Sequence, residues 1–95
     1  MYAILFDFEL NSLQALHPQG ANRAVMDMRR VLENELNFKW QQDGLYFGEA
    51  STNTVSCVLA VQTLANRFDW FAPSVRSARL LRIDENTDLM RAIKP

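Results

Sequence analysis

An α+β fold, with its elements in the order strand, helix, strand, strand, helix, strand, is what this sequence predicts. Three observations carry the expectation. The segment from Met1 to Glu9 is an apolar run of strand composition, six of the eight residues from Tyr2 to Glu9 being apolar and most of them β-branched or aromatic. Two long stretches, about 22–36 and 54–68, carry apolar residues at helical spacing. Between them Asp43-Gly44 separates two strand-like runs, the strongest short-range signal for a β-hairpin. Two right-handed β-α-β units joined by that hairpin give a four-stranded antiparallel sheet with both helices on one face, the ferredoxin-like arrangement.

Each element follows from its residues. After the first strand the pattern breaks at Asn11-Ser12, and His17-Pro18-Gln19-Gly20 reads as a loop with a short ordered turn around Leu13–Leu16. Ala21 or Asn22 opens the first helix, with Asn22 as its N-cap and Ala24, Val25, Met28, Leu32 and Leu36 as its apolar stripe. In the hairpin, a two-residue turn sets Gln42 opposite Leu45 and Trp40 opposite Phe47. Phe38, Trp40, Leu45 and Phe47 then share one face, and Lys39, Gln41 and Tyr46 the other. Ser51-Thr-Asn-Thr54 supplies capping side chains for the second helix. That helix is apolar almost all round and is expected to be the more buried of the two. Asp69–Pro73 ends it, Val75–Ile83 forms the last strand, and Asp84–Lys94 reads as a short terminal helix.

Composition limits function. The 95 residues make one domain, residues 1–95, small enough to gain from dimerisation. A net charge of −1 supplies no global attraction for nucleic acid or anionic membrane, so nucleic-acid binding needs a local basic patch. The single Cys57 excludes an internal disulfide and a multi-cysteine zinc site, and its apolar helical surroundings make it a structural thiol. No basic segment precedes an apolar leader, and the apolar run Val55–Val61 is too short to span a bilayer. A cytoplasmic location is the expectation.

Asp7 is the sharpest candidate for chemistry. A carboxylate inside an apolar strand costs free energy unless it is hydrogen-bonded, paired or bound to a cation. Strand alternation places Ala3, Leu5, Asp7 and Glu9 on the face without helices, together with Lys39, Gln41 and Tyr46. Leu5 and Tyr46 on an uncovered face suggest that a second copy covers part of it. Two copies of Asp7 meeting across a two-fold axis would share a proton or bind a cation such as Mg²⁺. Arg76 and Arg82 have one strand parity and Arg79 the other, so one face carries a cation suited to phosphate or to an ion pair. Arg23, Arg29 and Arg30 read as a solvated helix face, and His17, the one histidine, as a passive loop residue. Gly-rich phosphate loops, nucleophile elbows and Cys/His metal patterns are absent from the sequence.

Taken together, Met1-Tyr2-Ala3-x-x-Phe6-Asp7, Phe38 with Trp40, Tyr46, Trp70-Phe71 and Ser74-Val75-Arg76-x-x-Arg79 resemble the virulence-associated protein D (VapD) family over essentially the whole chain. The resemblance extends to the His-Pro-x-Gly segment before the first helix. It implies a ferredoxin-like homodimer similar to the small CRISPR adaptation protein. It also implies an endoribonuclease acting as the toxin of a bacterial toxin–antitoxin module, with a small cognate antitoxin as partner. The proposed catalytic aspartate of the family maps to Asp7, and Tyr46, Arg76 and Arg79 become candidate RNA contacts. Gln42-Asp43-Gly44 and Ser77-Ala78 depart from the family pattern, so roles of a turn serine or a fourth-strand acid do not carry over. The competing reading is a nucleic-acid-binding or assembly module of the same fold without hydrolysis. A regulatory domain for a small molecule is a more distant one.

Overall fold

The computed structural model describes residues 1–94. Four strands, β1 (Tyr2–Phe8), β2 (Phe38–Gln42), β3 (Leu45–Gly48) and β4 (Val75–Arg82), form one sheet in the order β2-β3-β1-β4, every pairing antiparallel. The helices are α1 (Leu10–Leu16), α2 (Ala21–Glu35), α3 (Thr54–Arg67), α4 (Phe71–Ser74) and α5 (Met90–Ile93). Helix α2 packs on β2 and α3 on β1 and β4. The strand order and the two helical crossovers are those of the expected ferredoxin-like fold.

Ile4 and Phe6 point from β1 into the core and meet Met28 and Leu32 of α2 and Leu64 of α3. Phe6 is the hub of an aromatic cluster, edge-on to Tyr46 and to Phe71, each at 5.9 Å between ring centroids. Each such side chain removed from water contributes roughly 1.5–3 kcal/mol before entropy is counted. Among the described residues no helix is long and apolar enough to cross a membrane.

Several local expectations are corrected. The segment after β1 is a helix: the Glu9 carboxylate accepts the Asn11 N–H at 2.8 Å and caps α1. Only Leu13 of that helix is fully buried, so no apolar stripe announces it. Helix α2 starts where expected but its N-cap is Gly20, at φ +87°, and not Asn22. The Ala21 N–H is satisfied at 2.8 Å by the Gln14 side chain, a partner local pattern does not reveal. Helix α3 carries a reciprocal Asn53–Ser56 capping box. It is nevertheless not the more buried helix, since Val55, Val58 and Leu59 are 64%, 46% and 55% exposed. The terminal helix is a single turn, Met90–Ile93, rather than Asp84–Lys94.

Candidate active site at the end of the first strand

Three elements converge where β1 ends. The register between β1 and β4 slips between Asp7 and Phe8, Asp7 pairing with Ser77 and Phe8 with Val75, so that Arg76 is the extra residue of a bulge. A bulge re-aims side chains. Regular alternation would separate Arg76 from Asp7. Here the Arg76 guanidinium meets the Asp7 carboxylate through two contacts, Nε to Oδ2 at 3.3 Å and Nη2 to Oδ1 at 3.4 Å. Their side chains keep 63% and 57% of their surface in water, so the pair contributes at most about 1 kcal/mol to folding. Both groups are free to engage a ligand.

They stand at the mouth of a cleft of about 680 Å³. Phe6, Phe8, Val25 and Met28 form its apolar side, and Asp7, Glu9, Asp43 and Arg76 supply its polar groups. The volume lies in the range that holds a small ligand or one unit of a larger one. The hairpin turn closes one wall. The Phe6 N–H donates to the Gly44 carbonyl at 2.9 Å, and a Cβ on Gly44 would stand 2.0 Å from the Phe6 carbonyl oxygen, so only glycine permits this approach.

The sequence candidates fare unequally. Asp7 and Arg76 come together. Arg79 pairs with Leu5 and so lies on the helix-free face, two residues from Ser77, the partner of Asp7. Tyr46 does not belong to that face. A register slip between Trp40 and Gln42 sets Trp40 opposite Tyr46, and Tyr46 in turn opposite Ile4, which turns the tyrosine into the core. It is fully buried, its hydroxyl has no hydrogen-bond partner among the described residues, and burial pushes that hydroxyl up to about 12. Such a group neither stacks on a base nor transfers a proton near neutral pH.

His17 and Cys57 are structural. Nε2 of the His17 ring lies 2.9 Å from an Asp27 carboxylate oxygen and Nδ1 accepts the Gln19 N–H, so both nitrogens are used. Cys57 is buried, which pushes its thiol up and away from thiolate chemistry. Asp43 and Glu9 are cleft residues that the sequence pattern does not single out for the site. The Asp-Gly turn signal located Asp43 but said nothing of the strand end on which it lands.

Among the described residues of one chain no three His, Cys, Asp or Glu side chains come together to hold a metal ion, so the Mg²⁺ expected between two copies of Asp7 would draw its second carboxylate from the other copy.

No family profile matches the chain. Full-length relatives do. An "Endoribonuclease VapD homolog" of Helicobacter pylori is 43% identical over 94 residues, 99% of this chain and 97% of that protein. "Endoribonuclease VapD 2" of Riemerella anatipestifer is 39% identical over 98% of this chain and 99% of its own length. "Endoribonuclease VapD" of Dichelobacter nodosus is 30% identical over 99% and 98%. At such identity and coverage the chain belongs to the VapD family.

Proposed function

We propose that this protein is an endoribonuclease that hydrolyses phosphodiester bonds in RNA, with Asp7 as the catalytic carboxylate and Arg76 as its phosphate-binding partner. The observation that carries the reading is the exposed Asp7–Arg76 pair, joined at 3.3 Å across a bulge at the mouth of the cleft. A guanidinium recognises phosphate oxygens through paired N–H donors and stabilises the charge that builds on them during displacement. A phosphate drawn to Arg76 loosens its hold on Asp7. The freed carboxylate then stands within reach of the attacking oxygen, that of water or of a ribose 2′-hydroxyl, and accepts its proton as that oxygen bonds to phosphorus, the P–O bond to the leaving ribose oxygen breaks, and the leaving oxygen takes a proton from solvent water. Arg79, on the same face as Asp7, extends the cationic track for the strand.

Two copies pair in this reading, because the helix-free face leaves Leu5 at 38% exposed and the small core gains from further burial. Light scattering at tens of micromolar should give the mass of a dimer, and a monomer there argues against the pairing. The toxin role and a small cognate antitoxin enter through the family resemblance, and a cytoplasmic location through the sequence pattern.

The decisive experiment is Asp7→Asn, which keeps the shape and removes the charge. Cleavage of a single-stranded RNA should fall by about two orders of magnitude or more, as for a lost general base. The melting temperature should hardly move, since the ion pair lost is solvated. A variant that melts early yet cleaves at the wild-type rate refutes the assignment of Asp7, whereas a wild-type protein that binds the RNA without cleaving it leaves the non-catalytic binding module standing.

A further inference from the structure

The turn that closes the cleft is held from helix α2. The Trp40 indole N–H donates to the Asp43 carbonyl at 2.9 Å. The Arg29 guanidinium lies over the same indole, 4.4 Å from the ring centroid. Arg29 Nε in turn donates to Glu33 at 2.9 Å, and the other Glu33 oxygen accepts the Trp40 backbone N–H at 3.3 Å. Two neighbouring groups of the hairpin are thus fixed to one face of α2.

What they fix needs fixing. Asp43 sits at φ +47°, a left-handed conformation that a non-glycine residue leaves readily unless its surroundings hold it. The pairing of β3 with β1 runs from Ala3 to Leu5, and the Phe6 N–H to Gly44 carbonyl bond extends it by one step. The next residue is Asp7. On its far side the ladder with β4 slips, so the regular pleat does not determine where the carboxylate points.

We propose that Trp40 is a positioning residue for RNA cleavage: its indole N–H, held by Arg29 and Glu33, locks the Asp43–Gly44 turn onto Phe6 and so sets the Asp7 carboxylate relative to Arg76. The inference rests on the reading of Asp7 as the catalytic group. Trp40 touches neither RNA nor the reacting atoms in this role. It acts through two hydrogen bonds, Trp40 to the Asp43 carbonyl and Phe6 to the Gly44 carbonyl, each at 2.9 Å.

Trp40→Phe tests it, because phenylalanine keeps a ring for Arg29 and removes only the N–H donor. In steady-state cleavage of a single-stranded RNA oligonucleotide, kcat should fall about ten-fold with KM changed less than about two-fold, the signature of a misplaced catalytic group rather than a lost contact. Amide hydrogen exchange at Phe6 should accelerate about ten-fold while that at Ile4 stays as in wild type. An unchanged kcat, or a lower kcat with Phe6 protection intact, overturns the proposal. Asp7→Asn is run beside it. If Asp7→Asn is inactive and Trp40→Phe is normal, only the positioning role falls; if Asp7→Asn cleaves normally, both readings fall. Should Trp40→Phe lower the melting temperature by more than about 5 °C, Arg29→Lys decides instead. It keeps the charge but loses the planar stack, and the same split between kcat and KM is expected at smaller size.

Discussion

On the hairpin side of β1, an indole N–H, a guanidinium stack and a shared carboxylate tie β2 and its turn to α2. On the other side, β4 is an edge strand whose Arg79 is exposed and whose Leu80 is 39% exposed, beside the uncovered Val58 of α3. Both sides reach the same cleft, one through Asp43 and Gly44 and the other through Arg76. Directional polar contacts hold one wall in a single geometry. The opposite wall offers solvated cations that exchange partners at little cost. The proposed roles of Asp7 and Arg76 ask for both, a carboxylate that stays in place and a cation that changes its partner.

The contrast can be broken hardest at Gly44. Gly44→Ala drives a methyl group toward the Phe6 carbonyl and should destabilise the fold by on the order of 3 kcal/mol in chemical denaturation. Arg82→Ala, an exposed change on the β4 side, should stay within about 0.5 kcal/mol. Equal costs would mean that the two flanks are equally rigid. Arg79→Ala should leave stability alone yet weaken RNA binding about five-fold at low salt, more than Arg30→Ala does, on a salt dependence equivalent to about two to four phosphates. Equal losses from the two variants would place the RNA on a different face.

Smaller effects sharpen the picture. Tyr46→Phe removes a buried hydroxyl without a partner, so stability should be unchanged or raised by up to about 1 kcal/mol, with RNA affinity untouched. A loss of affinity would restore Tyr46 to the binding face. Acid should loosen the hairpin side first. The hydrogen bond from Arg29, with the Trp40 N–H adding to it, holds Glu33 below its ordinary 4.5, so its stabilisation is present above that pH and is lost as pH falls through the lowered value. Acid titration should therefore change Trp40 fluorescence below about pH 4.5, and Glu33→Gln should abolish that step.

The fold was legible because composition, period and turn chemistry agreed. Tyr2–Phe8, the α2 stripe and Asp43-Gly44 each point one way, and together they leave one strand order. Of the candidate site, the sequence pattern itself singles out Asp7, where an acid interrupts an apolar strand, whereas its contact with Arg76 depends on a bulge that no pattern shows. Tyr46 and Arg76 were assigned by strict alternation, and each lies beside a register slip that alternation does not foresee. The expected burial of α3 came from its composition, which records how apolar a helix is and not how much of it this one chain covers. Helix α1 left no stripe because a single leucine anchors it.

The bulge that joins Arg76 to Asp7 also sets a clock. The two residues are 69 positions apart, whereas the hairpin joins residues no more than ten apart, Phe38 with Gly48. Local closure is fast and the β1–β4 ladder must wait for almost the whole chain. At roughly 5–20 residues per second of synthesis, about 3–14 s separate the appearance of the carboxylate from that of its guanidinium. For an enzyme that cuts RNA, the candidate site around Asp7 is completed only once the fourth strand has been made and has paired with the first.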